Sequence, residues 1–486
     1  MNASEPTLLA TAASLDGRHF QFVGVDDESA NPGDFVTVHS AGTPIRVGQI
    51  EDVTLTMGSA PRGSGRVIGE VNAEGRLDTR STHGFFSAEL RRADPGTIDL
   101  LYPDSAPTVG IGTVLTTGDV SARLFARRFN RHTFWCGQSG SGKTYALGVV
   151  LEQLLIHTRL PMVIFDPNAD FVRLHELSDR AVPASTDAMR IDAERTDADA
   201  RSTGRAALAA RDIRVLRPSS ADPDSLRVRF TDLPLRGRGA VLRLDPLDDR
   251  AEFNELARLE ETVGTLGPDK IVPTLRAQGT TAAHALADRI ENLSITDWGV
   301  WAGGFEAVTD VIDSRPDATV LDLGGFSYPD EPLVVAMAVL DDLWAKREQR
   351  RPVLIVIDEA HNLCSPEQDS PLHNAVRDRI IQIAAEGRKF GLWLLLSTQR
   401  PSRVHPSIIS QCDNLVVMRM SSPVDLDELA TIFGFVPAAM LARSPRFQQG
   451  EGLFAGGFVP TPTLVAMGNR LTREGGADVD VPLRAG

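Results

Sequence analysis

The chain has 486 residues, 42% of them hydrophobic, and carries a net charge of −15. This length predicts two or three domains with sizeable cores. The acidic balance disfavours a surface that coats nucleic acid indiscriminately, although an acidic exterior can surround a local basic channel.

No apolar run approaches the roughly 20 residues that cross a bilayer. The N-terminal "MNASEPTLLATAAS" lacks the basic and apolar regions of an export signal, so a cytoplasmic protein with no membrane partner is expected. Cys136, Cys364 and Cys412 lie far apart without CxxC spacing. That argues against a disulfide framework or zinc site and for small buried hydrophobes.

From Gly33 to about Gly118 the pattern is β-like. "DFVTVHS", "IRVGQIEDVTLT" and "GRVIGEVNAEG" alternate apolar and polar residues between Gly, Asp and Pro breaks. A small antiparallel barrel over residues 1–118 is predicted, with "GIGTVLTTGDVSARL" as its final strand and a linker. The texture then changes to alternating strands and helices. "RHTFWC" (131–136) predicts a strand, "KTYALGVVLEQLLIHT" (143–158) a helix and "PMVIFD" (161–166) a second, nearly all-apolar strand.

Residues 173–305 interrupt this order and predict an inserted, mostly helical subdomain. Strands are then expected at 318–325, 352–360, 392–399 and 414–420, with helices over 331–349 and about 372–390. Continuous apolar runs ending in polar residues suit a parallel sheet buried on both faces, with chemistry at the strand C-termini. The predicted class is therefore α/β with a mainly parallel sheet over residues 119–470. The tail 471–486 lacks periodicity and is expected to be loosely held.

"GQSGSGKT" (137–144) fits G-x-x-x-x-G-K-[ST] between a strand and a helix. In such a loop successive backbone N–H groups surround phosphate oxygens, and the helix N-terminus adds a favourable dipole. The nucleotide-binding run is Gly137, Gln138, Ser139, Gly140, Ser141, Gly142, Lys143, Thr144 and Tyr145. Lys143 is expected at the β- and γ-phosphates of ATP, and Thr144 on Mg²⁺. "PVLIVIDEAHNLC" places Asp358 at the end of an apolar strand, positioned to hold Mg²⁺ through water. Glu359 beside it is positioned to polarise an attacking water.

"LWLLLSTQRP" ends another buried strand at Gln399, read either as a contact to the γ-phosphate or the lytic water or as an ordinary strand terminus. In "AAEGRKFG", Arg388 and Lys389 close a helix, where cations also serve simply to complement the helix dipole. Arg400, Arg403 and His405 in "RPSRVHPS" lie on a loop at the catalytic edge, read either as a DNA contact or as a solvated loop.

Taken in order, the phosphate loop, "DPNAD", "VIDEAHN", "EGRKFG", "LLLSTQRPS" and "ISQCDNLVVMRM" resemble the HerA branch of the HerA–FtsK superfamily. The resemblance implies a RecA-like P-loop ATPase core behind a small β-barrel, assembled as a homo-hexamer that moves double-stranded DNA through a central pore. It implies Lys143, Thr144 and Asp358 at the phosphates and Mg²⁺, Glu359 as catalytic base, Gln399 as sensor and Arg388 as an arginine offered to a neighbouring subunit. One departure concerns Ala169 and Asp170, where the family usually has Gly and then Glu; the roles of Asp166 and Asp170 stay open.

Relatives work with a separate effector, either a NurA-like nuclease in DNA end processing or, in antiviral defence, a nuclease or sirtuin-like NAD hydrolase. A nucleotide-regulated scaffold ring that organises an effector without moving DNA is the alternative. A conjugative or secretion-type ATPase fits less well, because no transmembrane segment is evident.

Overall fold

A computed structural model describes residues 8–25, 30–80, 83–178, 201–218, 224–263, 268–367 and 370–476. The chain divides into two units. One holds the N-terminal residues through Phe129 with Thr133–Gln153 and Asp413–Asn469; the other holds Asn130–His132, Leu154–Cys412 and the C-terminal residues from Arg470.

The first unit opens with β1 (Leu8–Ser14), β2 (His19–Gly24), β3 (Phe35–His39), β4 (Arg46–Thr54), β5 (Arg62–Val71), β6 (Leu77–Asp78) and β7 (Phe85–Arg92). Their order is β2-β1-β7-β3-β4-β5-β6, and a further β2–β5 pairing closes six strands into an antiparallel barrel. Closure follows from side-chain alternation: in β2, Phe20 and Phe22 turn inward while His19, Gln21 and Val23 face out. The interior is filled by Leu9, Phe20, Phe22, Val36, Val38, Ile50 and Leu90.

The remaining strands are β8 (Thr108–Val114), β9 (Ser121–Phe125), β10 (His132–Cys136), β11 (Met162–Asp166), β12 (Ile213–Leu216), β13 (Ala318–Asp322), β14 (Val353–Ile357), β15 (Leu392–Thr398), β16 (Cys412–Val417), β17 (Glu451–Gly456) and β18 (Thr463–Met467). In the first unit they run β10-β16-β17-β18-β8-β9, antiparallel from β16 onward. The segment expected to end the barrel is thus the β8–β9 hairpin, which pairs with β18. Its alternation marks a half-buried strand but does not choose the partner.

The second unit carries the parallel order β12-β13-β11-β14-β15. Strands β11 and β14 are buried at every position, matching their continuous apolar runs. The inserted region supplies helices Arg250–Val263, Pro268–Gln278 and Thr281–Asn292, but also β12, an edge strand absent from the sequence expectation. Four residues, "IRVL", are too short a run to separate from a helical segment by periodicity. Part of the expected insertion, residues 179–200, lies outside the described residues.

The start of the C-terminal tail is packed. Ser178 N donates to Leu471 O, Gly475 N donates to Asp170 O, and Leu177 bridges to Thr472. Residues 477–486 lie outside the described residues. All three cysteines are buried, and burial pushes the Cys136 and Cys364 thiols up. No helix among the described residues is long and apolar enough to cross a membrane.

Candidate functional site

In the first unit β10 runs into the glycine loop, and a helix begins at Lys143 and extends to His157. Gly140 (φ +71) and Gly142 (φ +84) take left-handed backbone angles that a side chain disfavours. Space is limiting too: a Cβ on Gly142 would stand 2.9 Å from Gly450 N, and one on Gly137 would stand 2.6 Å from Met418 Cβ. The Gly450 N–H donates to Ser141 O at 2.9 Å, so the start of β17 fastens the loop's outer side. Ser141 and Lys143 are buried, while Thr144 and Tyr145 are half-buried at the helix start. Gln138 N donates to Arg419 O, closing the loop's entry against the end of β16. This cradle of closely approached backbone fits a polyphosphate.

In the second unit, strand register brings the carboxylates together. Phe165 pairs with Ile357 across β11 and β14, and Ile357 with Leu396 across β14 and β15. One residue further on, Asp166 and Asp358 therefore come side by side, and Glu359 is set against the Thr398–Gln399 end of β15. Carboxylate oxygens of Asp166, Asp170 and Asp358 lie within 4.8 Å of one another, a donor set suited to a hard divalent cation. Glu359 is buried, at a left-handed φ of +45 unusual for a residue with a side chain. Gln399 Nε2 donates to Glu359 Oε1 at 2.7 Å. His361 Nδ1 lies 3.2 Å from the other carboxylate oxygen and 3.1 Å from Thr398 Oγ1. The sequence reading passed over His361; its position two residues after Glu359 was the available signal.

The "DPNAD" departure carries a backbone cost. Ala169 has φ +59, the conformation glycine adopts without steric cost, so the family's glycine fits this geometry better than alanine. Asp166 is fully buried and accepts from the N–H groups of Asp170 and Phe171 at 2.9 and 2.7 Å. Burial pushes its carboxyl up to about 7, with the neighbouring Asp170 and Asp358 carboxylates adding to the rise and the two N–H donors opposing it.

The folded state thus holds a proton on Asp166 between about 4 and 7 that the unfolded chain releases. Its contribution favours folding most below about 4, declines as pH rises to about 7 and is flat above. Asp166→Asn should remove this decline and, in divalent-free buffer at pH 8, raise stability by on the order of 4 kcal/mol at most. Thermal melts of both proteins between pH 5 and 8 check it; parallel curves would show that Asp166 does not titrate there.

Arg388 stands elsewhere. It lies on the turn Gly387–Phe390 that precedes β15, beside His132 at the start of β10, whose imidazole is pushed down to about 4 by burial and by the Arg388 charge. It is therefore at the end of β15 opposite Gln399. Lys389 is exposed beside Glu386. On the loop after β15, Arg400 and Arg403 are exposed, Arg403 lies 3.7 Å from Glu367, and His405 caps a short helix by accepting from Ser407 N.

A family model described as "Helicase HerA, central domain" matches residues 109–252. The chain is 28% identical over 154 residues to "Probable helicase MJ1565" of Methanocaldococcus jannaschii, covering 30% of this chain and 29% of that protein. It is 33% identical over 115 residues to "DNA double-strand break repair helicase HerA" of Sulfurisphaera tokodaii, covering 24% and 22%. The matches thus span less than a third of these relatives' lengths. Among solved structures, the bacterial conjugative coupling protein TrwBdeltaN70 is 16% identical with a TM-score of 0.48, covering 78% of this chain and 92% of that one. Over residues 109–252, which hold the glycine cradle, the chain is thus similar to the central domain of HerA helicases.

Proposed function

We propose that the protein is a hexameric motor that hydrolyses ATP to move along double-stranded DNA, acting with a partner nuclease or other effector in DNA end processing or antiviral defence. The observation that carries the hydrolytic reading is the Glu359 carboxylate, buried at a positive φ and gripped by Gln399 and His361. Holding a carboxylate this way costs conformational energy and fixes its direction, which suits a base that must face one water.

Lys143 and the loop N–H groups bind the phosphates. Thr144 and Asp358 would hold Mg²⁺, which would supply positive charge to neutralise the phosphates. Glu359 takes the proton of the attacking water, and Gln399, bonded to Glu359, responds to whether the γ-phosphate is present. The "repair helicase" name of the Sulfurisphaera tokodaii relative supports DNA as the track.

The test is ATP turnover with and without duplex DNA. Several-fold stimulation that weakens with added salt is expected, since phosphate contacts release counterions. Turnover indifferent to DNA would instead favour a nucleotide-regulated scaffold ring.

A further inference from the structure

We infer that Arg419 is a second cation of the nucleotide site, one that shapes the phosphate loop and contributes charge to the bound polyphosphate. The inference rests on the nucleotide reading above.

Arg419 follows β16, and its backbone is held firmly. The buried Ser444 hydroxyl lies 2.8 Å from Met418 O and 3.4 Å from Met420 O, Met418 N donates to Cys136 O, and Arg419 O accepts from Gln138 N at 2.9 Å. From this anchored position Arg419 Nη2 donates to Gly140 O at 2.9 Å. Its Nε is buried and meets no hydrogen-bond partner among the described residues.

Two consequences follow. A loop that binds an anion must present N–H groups and turn its carbonyls away, because a carbonyl oxygen facing a phosphate repels it. The guanidinium occupies the Gly140 carbonyl and holds it from the cradle. It also brings a permanent positive charge within one hydrogen bond of the loop that wraps the phosphates, in a chain whose net charge is −15. Lysine at this position would supply the charge but not the planar fork; glutamine would supply a donor without charge.

Titration of the full chain with ATPγS and Mg²⁺ tests this. Arg419→Gln is expected to weaken binding about tenfold, the scale of one charge-assisted hydrogen bond. Arg419→Lys should recover most of the loss. The Arg419→Gln penalty should also shrink as salt is raised, whereas a purely structural defect would not respond to salt. Melting temperatures without nucleotide show whether each variant is folded. An Arg419→Gln protein binding within twofold of wild type, or a lysine variant no tighter than the glutamine one, overturns the inference. Wild-type protein that binds no ATPγS overturns the nucleotide reading itself, a distinct result.

Discussion

Glu359→Gln is expected to keep ATP bound while hydrolysis falls by about 10²–10⁴-fold, the range that general-base removal costs. The substitution preserves shape. Gln399 Nε2 still finds an oxygen on residue 359, the strand end stays in register, and Asp358 is untouched. What is lost is a carboxylate able to accept a proton. Lys143→Ala should fail differently, because it removes the buried ammonium at the start of the helix while leaving the base in place. Its turnover should collapse chiefly through weakened phosphate binding. Measuring nucleotide affinity and turnover on both variants separates the two. A Glu359→Gln protein that hydrolyses at wild-type rate would show that Glu359 is not the base.

The second large effect concerns Arg388 and assembly. Strand β15 has seven residues, so at about 3.3 Å per residue Arg388 stands on the order of 20 Å from the Gln399–Glu359 contact. Within one chain it does not reach that carboxylate, so a part in hydrolysis requires a neighbouring copy. We expect Arg388→Ala to lower turnover by about 10³–10⁵, the range attributed to arginine fingers. Specific activity should rise with protein concentration as rings form. Mixed before assembly, inactive Arg388→Ala and Lys143→Ala chains should recover partial activity, because some interfaces then join an intact phosphate loop to an intact arginine. Full activity in Arg388→Ala would leave this residue as a helix-end cation, with exposed Lys389 the next to test. Confirmed mixed rings without recovery would exclude action between subunits.

The phosphate loop and the acidic strand end were legible in the amino-acid sequence because both are local. A buried apolar run reads as a strand wherever it pairs, and glycines at 140 and 142 announce a backbone that side chains disfavour. The barrel was legible for the same reason, since alternation reports one wet face and one dry face. Pairing partners were not. Alternation over Thr108–Val114 predicts a strand, but only the fold sends it to β18 rather than to the barrel.

Tertiary structure also decided everything that depends on register between distant segments. Asp166 and Asp358 are almost 200 residues apart, and their meeting follows from Phe165 pairing with Ile357. The Gln399–Glu359 bond, the place of Arg388 at the far end of β15, and the reach of Arg419 to Gly140 are of this kind. Residue chemistry says what a side chain is able to do. Which groups it meets is set by long-range strand pairing, where a shift of one residue turns every side chain to the other face.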